Sequence, residues 1–163
     1  MRVYRYSRPA GGLAPGLRTA ATSAHADVGL LTLAPLSTVP GLVLLSPCGR
    51  HWVDCEGEEE GRRGPCAGGG QRFVCFLGEA GARLLAGAGV RVGVGGAAVL
   101  RAPVHFVLER GSSPRYSAPF FLRAPSSALL APGLTNVQFL HSLVQRPWAR
   151  MRDREPVGWA SDF

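Results

Sequence analysis

The sequence contains no lysine, although it carries 18 basic residues and a net charge of +7, so every basic residue is an arginine. The arginines are scattered from Arg2 to Arg154 rather than concentrated on one segment. Nucleic-acid binding usually requires a concentrated basic face with aromatic platforms. We therefore expect no nucleic-acid partner and interpret the arginines as solvated surface residues, part of the same compositional bias as the abundant alanine, glycine and proline.

Long apolar runs are also lacking, because Gly, Pro, Arg or His interrupts each one before it reaches the length of a membrane span. The stretch MRVYRYSRPAGG has no apolar core of a secretory signal. We expect a cytoplasmic protein with no membrane partner. No Cys-x-x-Cys pair occurs, which argues against a zinc ribbon, and free thiols are expected. The four cysteines are Cys48, Cys55, Cys66 and Cys75.

The sequence has no regular alternation of strands and helices, so a parallel doubly wound sheet is not expected. Its 163 residues form one domain by length, and its many glycines and prolines favour short strands and turns. The pattern predicts seven or eight strands, and thus a mainly β fold, a jelly roll or small barrel. The predicted strands cover residues 2–6, 28–36, 42–45, 51–54, 73–77 and 115–124, with two more between 90 and 110.

A C-terminal helix is predicted after a capping box of Thr135 and Gln138, with Leu134 and Phe139 as a hydrophobic staple. Three apolar residues are expected on one face of this helix: Val137, Leu140 and Val144. A short helix could also follow the strand at 73–77. Residues 56–71 are charged and then glycine-rich, and we interpret them as a mobile surface loop.

Two residues of metal-ligand type lie two positions apart just before an apolar run, in TSAHADVGLLTL. Since residues i and i+2 of a strand face the same side, His25 and Asp27 could both reach one metal ion. The next position on that side is a glycine, so a third ligand must come from another strand. His105 could supply it, whereas His51 and His141 are expected to be structural or surface residues. Two histidines and one carboxylate are typical of the facial triad of non-haem Fe(II) oxygenases.

A second polar pair, Arg115 and Ser117, lies in Arg-Tyr-Ser and again faces one side of a predicted strand. A guanidinium beside a hydroxyl can bind a carboxylate, and the guanidinium can do so with two hydrogen bonds. A dicarboxylate could thus bind a metal at one end and this pair at the other.

Together, HADVGLLTL…VPGL…W and VHF…RYSAPFFL closely resemble the 2-oxoglutarate and Fe(II)-dependent dioxygenases of the isopenicillin N synthase-like group, over about residues 2–123. The resemblance implies a double-stranded β-helix, a jelly-roll variant, with a C-terminal helix. Residues 1–124 would form the catalytic core, with a loop insertion at about 56–71, and residues 125–163 the C-terminal helix and tail.

The resemblance also implies the site and its chemistry. Fe(II) would be bound by His25, Asp27 and His105. The cosubstrate 2-oxoglutarate would be bound by Arg115, Ser117 and Tyr6. O₂ would be the oxidant and ascorbate a reductant, and the iron centre would act without a separate acid or base. The expected reaction is the hydroxylation, desaturation or cyclisation of a small organic molecule.

The sequence departs from the family pattern at four points. Phe106 follows the second iron histidine where the family usually has arginine, and Tyr4 stands where members often have asparagine. The interval between Asp27 and His105 is longer than usual, and residues 56–71 and 87–96 account for the extra length. The chain begins where the family's catalytic core begins, so the usual N-terminal region is expected to be absent.

Two other functions are compatible with the sequence. The chain could be a truncated or degenerate domain of the same fold that acts only by interaction. Repair or modification of nucleic acid by a relative is less favoured, because those relatives have a second arginine near the cosubstrate and a basic groove.

Overall fold

Short antiparallel strands make up most of the chain in the computed structural model, which describes residues 3–6, 22–46, 49–57, 71–92, 98–108 and 113–144. The strands are β1 (Tyr4–Tyr6), β2 (Leu31–Pro35), β3 (Leu42–Leu45), β4 (Trp52–Asp54), β5 (Phe73–Leu77), β6 (Arg91–Val92), β7 (Ala98–Val99), β8 (His105–Val107), β9 (Arg115–Ser117), β10 (Phe120–Leu122), β11 (Leu129–Ala131) and β12 (Leu134–Thr135). Two helices are described, α1 (Glu79–Gly87) and α2 (Asn136–Val144).

The strands pair in small sheets whose neighbours are mostly distant in sequence. Two sheets have three strands, in the orders β10-β2-β5 and β4-β3-β8, and the pairs β1-β9, β11-β12 and β6-β7 complete the set for the described residues. Strand β2 alternates between half-buried and buried residues, and Thr32 and Ala34 are the buried ones. Alternation of this kind places one face of β2 toward the interior.

Two hydrophobic clusters hold the sheets and helices together. The first contains Val43, Phe106 and Leu108, with Trp52 packed edge-on against Phe106 at a centroid distance of 4.8 Å. The second contains Ala80 of α1, Leu130 of β11 and Phe139 of α2. The second cluster therefore joins the C-terminal helix to the strands and helix that precede it.

The N-terminal end of α1 lies in direct backbone contact with the segment that leads into β2. The amide nitrogen of Gly78 donates to the carbonyl of Leu30 at 3.1 Å, and that of Gly81 donates to the carbonyl of Gly29 at 3.3 Å. A Cβ atom at Gly78 would collide with the backbone of Gly29, and one at Gly81 with the carbonyl of Leu30. Close approach of the backbones thus requires glycine both at the residue before α1 and at its third residue.

Most predicted strands are confirmed, and three predictions need correction. Strands β3 and β5 have the predicted bounds, whereas β2 begins only at Leu31. The segment 115–124 forms two strands, β9 and β10, because the chain passes through Ala118 and Pro119 between them. Proline cannot donate to a strand ladder, which explains the break. The described part of residues 90–110 contains three strands instead of two, and β11 and β12 were not predicted, which brings the described total to twelve.

The start of α2 is confirmed, and of the three apolar residues expected on one face, Leu140 packs against the second cluster whereas Val137 and Val144 do not. The Thr135 amide donates to Oε1 of Gln138 at 2.8 Å, and the Gln138 amide donates to the Thr135 hydroxyl at 3.4 Å, as a capping box requires. Val137 and Val144 are exposed, Val144 by 83%. The helix instead packs through Asn136, Phe139, Leu140 and Leu143, because the second cluster lies on that side.

Other sequence predictions have simpler outcomes. Cys55 and Cys75 are free thiols, as expected, and Cys48 and Cys66 lie outside the described residues. Most of the segment 56–71 also lies outside them. Neither described helix is long and apolar enough to cross a membrane.

Candidate functional site

His25 and His105 are brought side by side by their own backbones. The amide nitrogen of His25 donates to the carbonyl of His105 at 3.0 Å, and that of His105 donates back at 2.8 Å. This antiparallel bridge sets the two imidazole centroids 4.5 Å apart. The Oδ1 atom of Asp27 lies 3.8 Å from Nε2 of each histidine. The three predicted ligands therefore converge, with one donor atom of each within 4.8 Å of the others.

Both imidazoles are oriented by backbone carbonyls. Nδ1 of His25 lies 2.8 Å from the carbonyl oxygen of Ser23, and Nδ1 of His105 lies 3.3 Å from that of Pro103. Because a carbonyl oxygen only accepts, each Nδ1 carries its proton and donates it. Nε2 of each ring, 3.8 Å from Oδ1 of Asp27, is then the nitrogen available to a metal. Such contacts fix the tautomer and ring angle of metal-binding histidines.

Asp27 is held at both its side chain and its backbone. The hydroxyl of buried Thr32 donates to Oδ2 of Asp27 at 2.5 Å, which leaves Oδ1 for a metal. The Asp27 carbonyl accepts a hydrogen bond of 2.7 Å from the amide nitrogen of Glu79, the first residue of α1. Thr32 was not predicted as a site residue, although a single polar residue within the apolar run of β2 was a usable signal.

Burial sets the charge of His105. Loss of hydration lowers the pKa of His105 below its usual value of 6.5, nearby His25 lowers it further, and Asp27 opposes the shift. The neutral imidazole, which is the metal-binding form, is therefore favoured at neutral pH. Two imidazoles and a carboxylate form a donor set that suits Fe(II).

A cavity of about 190 Å³ adjoins these three side chains and extends toward β1 and β9. The antiparallel register pairs Tyr6 with Arg115 and Tyr4 with Ser117, and all four residues line the cavity. The apolar lining comes from Ala34, Leu42, Phe76, Val107 and Phe121, among others. All six predicted site residues thus line one cavity.

Arg115 is buried at 4% exposure, and its Cζ atom lies 5.4 Å from the centroid of the Tyr6 ring. Burial raises the pKa of Tyr6, and the Arg115 charge partly offsets that shift. The phenol is therefore neutral over the physiological pH range. Among the described residues, NH1 of Arg115 has no hydrogen-bond partner, although it is buried.

The other side of the Arg115 guanidinium is bound by Glu56. Nε lies 3.2 Å from Oε2, and NH2 lies 2.9 Å from Oε1 and 3.0 Å from Oε2. The same carboxylate accepts hydrogen bonds of 2.8 Å from the amide nitrogens of Ser37, Gly41 and Leu42. Glu56 is 1% exposed, so its assignment to a surface loop is wrong. Its partners, remote in sequence, gave no local signal.

The remaining two described histidines lie elsewhere. His51 and His141 are exposed and do not line the cavity, in agreement with the structural or surface roles expected of them.

No protein-family model and no curated protein sequence matches the chain. Solved structures do match it. A presumed oxygenase from Shewanella oneidensis aligns with a TM-score of 0.59 at 20% identity, over 88% of this chain and 45% of the other. The dioxygenase for auxin oxidation from rice aligns with a TM-score of 0.56 at 20% identity, over 98% of this chain and 48% of the other.

A third match is the dioxygenase for auxin oxidation 1 of Arabidopsis thaliana, in a complex with 2-oxoglutarate. Its TM-score is 0.55 at 17% identity, over 79% of this chain and 39% of the other. The chain therefore spans less than half the length of each of these proteins. The chain shares the fold of these three proteins over the aligned part. The mainly β jelly roll predicted from the sequence is thus confirmed.

Proposed function

We propose that this chain is the catalytic core of a non-haem Fe(II)- and 2-oxoglutarate-dependent oxygenase that oxidises a small organic molecule. The observation that carries the proposal is the convergence of His25, Asp27 and His105 in a cavity that buried Arg115 also lines. The cavity thus contains a metal site and the guanidinium of Arg115, which can bind a carboxylate. This pair of groups fits a cosubstrate that has a 2-oxo acid at one end and a second carboxylate at the other.

The three ligands would hold iron through Nε2 of each histidine and Oδ1 of Asp27. Bound iron would supply the O₂ chemistry that no side chain can perform. The chain itself would hold the ligands in place. Carbonyl contacts fix both imidazole rings, and the Thr32 hydroxyl fixes the carboxylate. Preorganisation of this kind avoids a reorganisation of the ligands when metal binds.

Arg115 and Ser117 would bind the distal carboxylate of 2-oxoglutarate. The unpartnered NH1 atom supports this role, because a buried donor without a partner is destabilising until an acceptor reaches it. Tyr6 would contribute by packing its ring against the Arg115 guanidinium. Ascorbate would serve only to restore the reduced metal.

The apolar lining of the cavity supports a small organic substrate, and two structural neighbours are named for auxin oxidation. Hydroxylation, desaturation and cyclisation are all open to such a site. In the proposed organisation, residues 1–124 form the catalytic core and residues 125–163 the C-terminal helix and tail. The contact of Phe139 with Ala80 and Leu130 makes α2 part of the same packed unit.

The test is metal-dependent turnover of 2-oxoglutarate to succinate, together with anaerobic binding of 2-oxoglutarate to the Fe(II)-loaded protein by calorimetry. The native chain should bind one Fe(II) and release succinate, and His25→Ala and Asp27→Ala should abolish both. His141→Ala is the matched control, since this histidine is exposed on α2. Folded native protein that binds neither Fe(II) nor 2-oxoglutarate would refute the proposal and favour a non-catalytic domain that acts by interaction.

A further inference from the structure

Glu56 forms a buried ion pair with Arg115 from a position outside the lining of the cavity. Arg115 lines the cavity, whereas Glu56 does not. The Glu56 carboxylate takes up Nε and NH2 of the arginine and leaves NH1 without a partner among the described residues. Glu56 therefore binds the guanidinium along the edge formed by Nε and NH2, and NH1 is the nitrogen without a partner among the described residues.

The Glu56 carboxylate is itself fixed in place. The amide nitrogens of Ser37, Gly41 and Leu42 donate to it from the turn before β3 and from the first residue of β3. Backbone donors of this kind cannot follow a moving side chain, so the carboxylate has a defined position. The Arg115 side chain also passes close to Gly41, where a Cβ atom would lie 3.2 Å from Cδ of Arg115 and 2.5 Å from the Leu108 carbonyl.

We propose that Glu56 is a positioning residue for carboxylate recognition, which fixes Arg115 so that NH1 is the donor offered to the distal carboxylate of the cosubstrate. This inference rests on the proposed function of the cavity. A planar guanidinium held along one edge has little rotational freedom, so the direction of its remaining N–H groups is set before the ligand arrives. Recognition would then depend on the placement of the distal carboxylate.

A second consequence concerns charge. The Glu56 carboxylate neutralises the Arg115 guanidinium, so the pair attracts anions weakly from a distance. Selection of the ligand would come from the fit of its carboxylate to NH1 and to the Ser117 hydroxyl. A 2-oxo acid without a distal carboxylate would gain nothing from this end of the cavity.

The test compares Glu56→Gln with the native protein, both loaded with Mn(II), by calorimetry with 2-oxoglutarate and with 2-oxobutyrate, which lacks the distal carboxylate. In the variant, the amide cannot satisfy the arginine and all of the backbone donors, so the guanidinium loses its fixed position. The Kd for 2-oxoglutarate should rise roughly tenfold to a hundredfold, because loss of one hydrogen bond to a charged group weakens binding by about this factor. The Kd for 2-oxobutyrate and the affinity for Mn(II) should not change. Glu58→Gln, with the same loss of charge, is the control.

Equal weakening of both ligands would assign Glu56 a purely structural role and overturn the inference. Unchanged or tighter binding of 2-oxoglutarate would also overturn it. A native protein that binds no 2-oxoglutarate would refute the proposed function and this inference together, whereas native binding with an unaffected variant would refute the inference alone.

If Glu56→Gln does not fold, a crystal structure of the native protein with Mn(II) and 2-oxoglutarate tests whether Glu56 positions Arg115 for the ligand. Glu56 should remain on Nε and NH2 of Arg115 while the ligand accepts from NH1. A ligand carboxylate that displaces Glu56 from the guanidinium would overturn the inference.

Discussion

Removal of the Thr32 hydroxyl should weaken metal binding without unfolding the protein. Thr32→Val keeps the shape of a residue that is 2% exposed but deletes the donor 2.5 Å from Oδ2 of Asp27. A hydrogen bond to a charged group contributes about 1.5–3 kcal/mol. Since about 1.4 kcal/mol corresponds to a tenfold change in affinity, full loss of the orienting effect would weaken metal binding roughly tenfold to a hundredfold.

The assay is titration with Mn(II) or Co(II) by calorimetry, alongside thermal unfolding of the metal-free protein. Thr135→Val is the matched control, because it deletes a hydroxyl of the α2 capping box far along the chain from the metal ligands. The control should lose about 0.5–2 kcal/mol of stability and no metal affinity. Native metal affinity in folded Thr32→Val would refute the claim that Thr32 orients Asp27.

Two further predictions concern a thiol and a buried ring. Burial, with Asp54 and Glu56 nearby, raises the pKa of Cys55 to about 11, so little of the reactive thiolate forms at pH 8. Iodoacetamide should therefore modify exposed Cys75 first, and the rate at Cys55 should rise about tenfold per pH unit below the pKa. Phe139→Ala should lower the free energy of unfolding by about 3–5 kcal/mol, because a fully buried ring leaves a cavity in the second cluster.

Peptide mapping by mass spectrometry measures the extent of labelling at Cys55 and Cys75. Equal labelling of the two cysteines in native protein at pH 8 would contradict the expected difference. Urea unfolding measures the loss of stability in Phe139→Ala. Val144→Ala, on the same helix at 83% exposure, should change stability by less than about 0.5 kcal/mol. A similar small effect for Phe139→Ala would contradict the packing described for α2.

The sequence was most informative where local pattern and tertiary environment agree. The continuous apolar run at β3 defines a strand because β3 lies between β4 and β8 and buries Leu42 and Val43. The run at β5 also forms a strand, although β5 is the edge of its sheet and Phe73 and Cys75 are exposed. The pair His25 and Asp27 was recognisable because its spacing is local. His105 could be joined to that pair only by the family resemblance and by elimination, since the bridge between the histidines spans 80 positions of the chain.

Features that depend on remote partners could not be predicted in this way. Glu56 begins an acidic run and has the local pattern of a surface loop, yet Arg115, 59 positions later, stabilises its burial. The face of α2 was misjudged for a similar reason. Val137 and Val144 have helical spacing, but so do Phe139 and Leu143, and only the position of the second cluster decides which pair is buried.

The glycine contact between α1 and the segment before β2 fixes the wall of the cavity that carries Asp27. Gly78 and Gly81 press the helix backbone onto Gly29 and Leu30 with no side chain between them, and the Glu79 amide is bonded to the Asp27 carbonyl. Helix and ligand segment must therefore move as one body, because any sliding would break these hydrogen bonds or cause backbone collision. The opposite wall is formed by β1 and β9, a pair that shares no other sheet partner among the described strands. That wall is held through Arg115, whose ion pair with buried Glu56 ties β9 to the turn before β3. Backbone contacts thus hold the metal side of the cavity, and a side-chain ion pair holds the Arg115 side.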